Sequence, residues 1–181
     1  MTTFTLPKGL TEALKSGQLI PFVGAGVSMS VKKSGTEDSL FPSWGELLRN
    51  SAVKIRKQGL KDSAATLIEA HLDHGDDNSY LDAAKLAKQT LKNQKWNAYL
   101  TQQIGLNKDQ CEQSSLELAK SIWRLNSLLI ITTNYDKVLD WACPMLADLN
   151  HWDIEAAHEQ AISLSTQLTK PTVWHLHGRI S

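Results

Sequence analysis

Three short apolar runs constrain this chain more than any other feature. They are Leu19-Ile-Pro-Phe-Val23, Leu128-Leu-Ile-Ile131 and Thr172-Val-Trp-His-Leu-His177. The second is a continuous apolar run too short for a helix, the pattern of a parallel strand buried on both faces. Helical stretches separate the three, so the order predicts a parallel sheet with crossover helices. Ligands of such sheets sit beyond the carboxyl ends of the strands. The polar clusters after Val23, after Ile131 and at His177 all fall there.

The intervening segments read as helices. Leu6, Leu10 and Leu14 recur at helical spacing, and Gly17 ends that element. The stretch from Met29 to Phe41 is polar and reads as a loop. Ser43 starts a helix with Glu46 three residues on, a capping box, and Trp44, Leu47, Leu48, Ala52 and Ile55 give it one apolar face. From Lys61 to about Leu125 the pattern is helical almost throughout, interrupted by the polar segment His74 to Ser79. A last helix is expected through Val138, Leu139 and Leu146. The chain shows no internal repeat.

With 181 residues the expectation is one domain. Lys and Arg number 19, as do Asp and Glu, so the chain lacks the basic footprint of a protein that grips nucleic acid or an anionic membrane. One small anion held by local geometry remains compatible. Cys111 and Cys143 form no CxxC pair, which excludes a zinc ribbon or a disulfide framework. No apolar run approaches the length of a membrane span, and the first eight residues lack the layout of a signal peptide, so a cytoplasmic protein is expected.

Three motifs carry possible chemistry. Gly24-Ala-Gly26 follows a strand, where glycine allows positive φ and close approach to a phosphate. Met29 stands where a full GxGxxG would place glycine, and no Gly-Lys-Ser/Thr follows, so the alternative is a tight turn without a ligand. In Thr132-Thr-Asn-Tyr-Asp136, Asn134 and Asp136 are two apart and project to one side of an extended tip. Their plain alternative is a turn and a helix cap. His175 and His177 alternate with Trp174 and Leu176, so both face one side of the strand. They are satisfied structural histidines, a metal pair, or a site with one general base. His71 and His74 read as solvated, and His151 and His158 carry no pattern.

In combination these motifs resemble the sirtuin-like NAD-hydrolase domains of bacterial anti-phage defence effectors. The residues are Phe22-Val-Gly-Ala-Gly-Val-Ser28, Pro42-Ser-Trp44, Ile131-Thr-Thr-Asn-Tyr-Asp136 and His175-Leu-His-Gly178. The resemblance spans about residues 17 to 178. It implies a Rossmann-like parallel sheet across residues 1–181 with a helical insertion at 45–125. It also implies truncation after Ser181, since the family continues with further strands. Gly24, Ala25, Gly26 and Ser28 then match the nucleotide-binding loop, with Thr133 beside it. Asn134 matches the asparagine beside the nicotinamide ribose, Asp136 the aspartate that holds the carboxamide, and His177 the catalytic histidine. The role of His175 stays open. Deacylating sirtuins carry a four-cysteine zinc module that this chain cannot build, so no metal is expected and NAD is expected as substrate.

The implied activity is that of an NAD+ glycohydrolase. Nicotinamide leaves NAD as an already cationic group and needs no general acid, while positive charge builds on the ribose. The site must hold the nicotinamide, stabilise that cation and position a water. Regulation by homo-oligomerisation or by further defence subunits is expected, since an unregulated enzyme would drain its own cell. A non-catalytic NAD or ADP-ribose binding module is the alternative, and a protein deacylase ranks third.

Overall fold

The computed structural model describes residues 6–153 and 167–180, the Asp77 side chain excepted. His158, the first five residues and Ser181 lie outside them, and with them part of what the sequence suggests about the chain's two ends. The chain divides into two compact units, a helical one over Phe41–Leu106 and a sheet unit formed by the residues up to Leu40 and by Asn107–Arg179.

The sheet unit is a Rossmann-like α/β assembly. It begins with α1 (Lys8–Lys15), β1 (Phe22–Val23) and α2 (Ala25–Met29). Helix α1 has the expected apolar periodicity but buries no residue. The helical unit supplies α3 (Trp44–Lys57), α4 (Asp62–His74) and α5 (Asp77–Ile104). The chain then returns to the sheet unit for α6 (Glu117–Trp123), β2 (Leu129–Thr132), α7 (Val138–Ala142), β3 (Asn150–Trp152) and β4 (Thr172–His175). The strands lie in the order β1-β2-β4-β3, and every neighbouring pair is parallel.

Burial explains the order. All four residues of β4 are buried, and in β2 Leu129, Ile130 and Thr132 are buried, as central strands covered on both faces must be. Leu129 and Trp174 pack with Ile131, Trp152, Leu168 and Leu176, and the Trp152 and Trp174 rings meet edge to face at 6.4 Å. β1 is an edge strand. Phe22 is 66 % exposed. Pro21, which has no N–H to offer, accepts from the Ile131 amide at 2.9 Å. The Trp123 indole donates to the Leu139 carbonyl at 2.9 Å and ties α6 to α7.

Two elements depart from expectation. Helix α7 stops at Ala142 instead of reaching Leu146, because Cys143 precedes Pro144 and takes an extended conformation (φ −67°, ψ 124°). Strand β3 was not foreseen at all.

In the helical unit Ser43 and Glu46 form the reciprocal capping box, with bonds of 3.2 and 2.7 Å. Gly75 ends α4 in the left-handed region at φ +80°, and the Asp76 carboxylate caps α5 through the Ser79 amide at 2.7 Å. Leu48, Ala52 and Ile55 of α3, Ala65, Ile68 and Leu72 of α4, and Ala83, Ala87 and Leu91 of α5 are buried. Helix α5 is broken at Lys92, which sits at φ 62° and ψ 158°. The insertion expected over 45–125 ends earlier, because residues after Leu106 pair with the sheet unit. Lys33 bridges Cys111, the Glu112 amide donates to the Lys32 carbonyl at 2.8 Å, and the Ser34 amide donates to Gln110 at 2.8 Å. Among the described residues no helix is long and apolar enough to cross a membrane.

Candidate functional site

The carboxyl ends of β1 and β2 lie side by side, with Val23 in register with Thr132. The buried Thr132 hydroxyl donates to the Val23 carbonyl and accepts from the Asn134 amide, both at 3.0 Å. The Thr133 amide donates to the same carbonyl at 3.2 Å. The loop after β2 is thereby fastened over the glycine loop after β1.

Four of the expected residues then close into one network. The Asn134 side-chain amide donates to the Gly24 carbonyl at 3.0 Å and to the Ser28 hydroxyl at 2.9 Å. The Ser28 hydroxyl donates to Asp136 Oδ2 at 2.6 Å, and the Val138 amide donates to Asp136 Oδ1 at 3.0 Å. Asn134 and Asp136 do reach to one side, and Ser28 is where they meet. The plain reading of Asp136 as a helix cap holds only in part: the N-cap position is Lys137, and Asp136, one residue earlier, accepts from the first amide of α7. Burial pushes the Asp136 carboxyl up from its ordinary range, against the pull of the Ser28 hydroxyl and the Val138 amide.

Both amide hydrogens of Asn134 are committed to protein acceptors, so its carbonyl oxygen Oδ1 is what the side chain has left to offer. Among the described residues no donor reaches that oxygen.

Gly24 and Gly26 differ from expectation in an informative way. Gly24 is extended at φ −112° and ψ −174°, and Gly26 is likewise not among the glycines with positive φ. A Cβ at either position would meet no protein atom within 4 Å. Neither backbone conformation nor internal packing demands glycine here. Gly24, Ala25 and Gly26 are all exposed, while Ser28 is buried. Helix α2 has only five residues and so little dipole, and its Val27 amide already donates to the Gly24 carbonyl at 3.2 Å.

The histidine pair does not share a face. Strand β4 ends at His175, and Leu176 and His177 form a turn closed by the Gly178 amide donating to the His175 carbonyl at 3.2 Å, with Gly178 at φ +78°. His175 is buried and His177 exposed. The His177 ring stacks on Tyr135 with centroids 6.2 Å apart, which sets it beside the β2–α7 loop without a hydrogen bond to the network among the described residues. The metal pair drawn from strand alternation is therefore not formed by these two side chains.

His175 has other neighbours. Its Nδ1 lies 3.3 Å from the Asn134 carbonyl oxygen, and its Nε2 lies 3.2 Å from His151 Nδ1. His151 Nε2 lies 3.6 Å from Asp140 Oδ2. His151 and Asp140 carry no signal in sequence: one lies on a short polar edge strand, the other inside a helix.

No protein-family model matches the chain, and no curated protein matches it at a significant level.

Proposed function

We propose that this chain hydrolyses NAD at the nicotinamide–ribose bond. The observation that carries the reading is the clamp on Asn134. With its amide hydrogens held by Gly24 and Ser28, Asn134 presents a fixed acceptor at the strand ends, where parallel sheets bind ligands. That acceptor orients a water or a ribose hydroxyl. The exposed glycine loop gives the diphosphate room for close approach. The desolvated Asp136 carboxyl lies next to the clamp, suited to hold the carboxamide.

In the reaction, water oxygen bonds to ribose C1′ as the C–N bond breaks. The bond pair leaves with nicotinamide, which departs neutral. The proton of the attacking water passes to His177, an exposed imidazole able to act as general base. The resemblance of the motifs extends the reading to a cytoplasmic effector of anti-phage defence, held in check by self-association or by further subunits.

A second reading is a module that binds NAD or ADP-ribose without turnover. It is favoured by the absence of a hydrogen bond, among the described residues, between His177 and the Asn134 network. Incubation of the purified chain with NAD, with free nicotinamide measured alongside calorimetric binding, separates the two. Nicotinamide release that disappears in Asn134→Ala supports hydrolysis, binding without release supports the module, and release retained in both Asn134→Ala and His177→Ala overturns the catalytic assignment.

A further inference from the structure

The side chains of Asn134 and Asp136 are held by hydrogen bonds, whereas no hydrogen bond among the described residues holds the side chain of His177. An exposed imidazole is free to change rotamer about its side-chain torsions. A general base, in contrast, must stay within hydrogen-bond reach of the proton it takes. Packing must therefore set this ring.

The backbone on both sides of that ring is fixed. The Leu176 amide donates to the Thr132 carbonyl at 2.9 Å, which carries the β2–β4 pairing past the end of β4. His175 Nδ1 lies 3.3 Å from the Asn134 carbonyl oxygen. A carbonyl can only accept, so the buried His175 imidazole donates from Nδ1. That bond holds the peptide joining Asn134 to Tyr135. The Gly178 amide, donating to the His175 carbonyl at 3.2 Å, closes the turn that carries His177. Side chains then part to opposite sides of the β2–α7 loop. Asn134 and Asp136 meet Ser28, while Tyr135, between them, meets His177. The two rings are stacked, with centroids 6.2 Å apart and planes at 29°, within the usual range of aromatic pairs. Tyr135 is partly buried and His177 exposed, so the inner ring is the firm base for the outer one. Among the described residues the Tyr135 hydroxyl makes no hydrogen bond, and its ring is what touches His177.

We propose that Tyr135 is a positioning residue for His177, holding the imidazole in one orientation through the stacked ring, with His175 bracing the peptide that carries Tyr135. The purpose of holding His177 rests on the hydrolase reading. That Tyr135 sets its orientation does not, and the two are tested separately.

Carbon-13 relaxation of histidine-labelled protein reads the order of each ring without NAD, and His177→Gln identifies the signal. The expected order parameter of the His177 ring is near the rigid value of about 0.85 in the wild type and in Tyr135→Phe, and below about 0.6 in Tyr135→Leu. The Asn134 side-chain amide signals, on the other side of the loop, should stay in place in all of them. A ring already mobile in the wild type, a ring equally ordered in Tyr135→Leu, or order lost equally in Tyr135→Phe overturns the proposal. Loss of order together with displaced Asn134 signals also overturns it, because Tyr135 would then hold the loop and not the ring. If Tyr135→Leu does not fold, the other two proteins decide: an ordered ring in both sustains the proposal, and a mobile ring in either overturns it. Where nicotinamide release is measured, kcat should fall by up to about 10²-fold in Tyr135→Leu with KM nearly unchanged, and recover in Tyr135→Phe. A change in KM alone contradicts a positioning role. Absence of release from the wild type removes the hydrolase reading and leaves the ring measurement to decide on Tyr135. Release with a mobile ring removes the role of Tyr135 and leaves the hydrolase reading.

Discussion

The Ser28 hydroxyl and the Asp136 carboxylate, 108 positions apart in sequence, meet in a hydrogen bond of 2.6 Å. Ser28 also accepts from Asn134, so one small side chain joins the glycine loop to both Asn134 and Asp136 of the β2–α7 loop. Ser28→Ala removes a donor from a desolvated carboxyl and an acceptor from Asn134. An unmet buried polar group costs about 1–3 kcal/mol, and a loss of that size is expected in denaturant unfolding. A cost near zero would mean that solvent satisfies the network.

Gly24 separates folding from ligand binding. Its backbone is in a region open to any residue, and a Cβ there touches no protein atom. Gly24→Ala is therefore expected to leave stability unchanged or raise it by about 0.4–1 kcal/mol through the unfolded chain. On the proposed function NAD affinity, measured by calorimetry, should fall, because the added methyl group would occupy the open space assigned there to the diphosphate. Unaltered affinity would remove the glycine loop from the site.

His177 is exposed and anchored only by stacking on Tyr135. His177→Ala should leave unfolding within about 0.5 kcal/mol of the parent and lower nicotinamide release by about 10²–10⁴-fold, the usual contribution of a general base. Equal losses of stability and rate would instead mark the ring as structural.

Acid should weaken the sheet unit through His151 and His175. Burial holds both imidazoles below their ordinary range in the folded state. A depressed folded value means that the unfolded chain binds more protons. The stability they contribute is thus present above about pH 6.5, the unfolded value, and is lost as pH falls through the folded values. Urea unfolding at pH 7 and pH 5 should show that loss, and His151→Gln, which keeps a donor but cannot titrate, should show a smaller one. Equal losses in the two proteins would contradict this account.

Lys92 is a strained position in the helical unit. Its φ of 62° and ψ of 158° belong to a region that is essentially glycine's own. Lys92→Gly is expected to stabilise the protein by about 1 kcal/mol, the relief of strain exceeding the added entropy of the unfolded glycine. Chemical denaturation of both forms checks the sign.

Much of this molecule was legible from local pattern, and the reasons are specific. Leu129 to Thr132 and Thr172 to His175 are central strands covered on both faces, so burial wrote them as apolar runs. Ser43 and Glu46 are three residues apart, and their capping box needs nothing beyond the helix itself. Asn134 and Asp136 stood out because a buried strand ends just before them, although their meeting point, Ser28, is a tertiary fact. His177 was misread as a strand residue because alternation continues through Leu176, while the turn that ends the strand depends on Gly178 at positive φ. His151 left no trace. Strand β3 is three residues long, lies on the sheet edge and is made of Asn150, His151 and Trp152, so no apolar run announces it. Its pairing with β4 brings His151 to His175, and no spacing along the chain encodes that approach.

The pairing of Lys32–Ser34 with Gln110–Glu112 has a consequence for how such a protein can change. The two passages where the chain leaves and re-enters the sheet unit are held side by side by bonds of the sheet unit's own. What hangs between them is, to the strands, a loop already closed at its base. Loop length enters stability only logarithmically, at about 0.6 kcal/mol per doubling. The closure at Lys32–Ser34 and Gln110–Glu112 thus belongs to the sheet unit and not to the helices from Phe41 to Leu106. A change in the number of residues between Phe41 and Leu106 therefore carries only that logarithmic closure cost for the sheet unit's own hydrogen bonds.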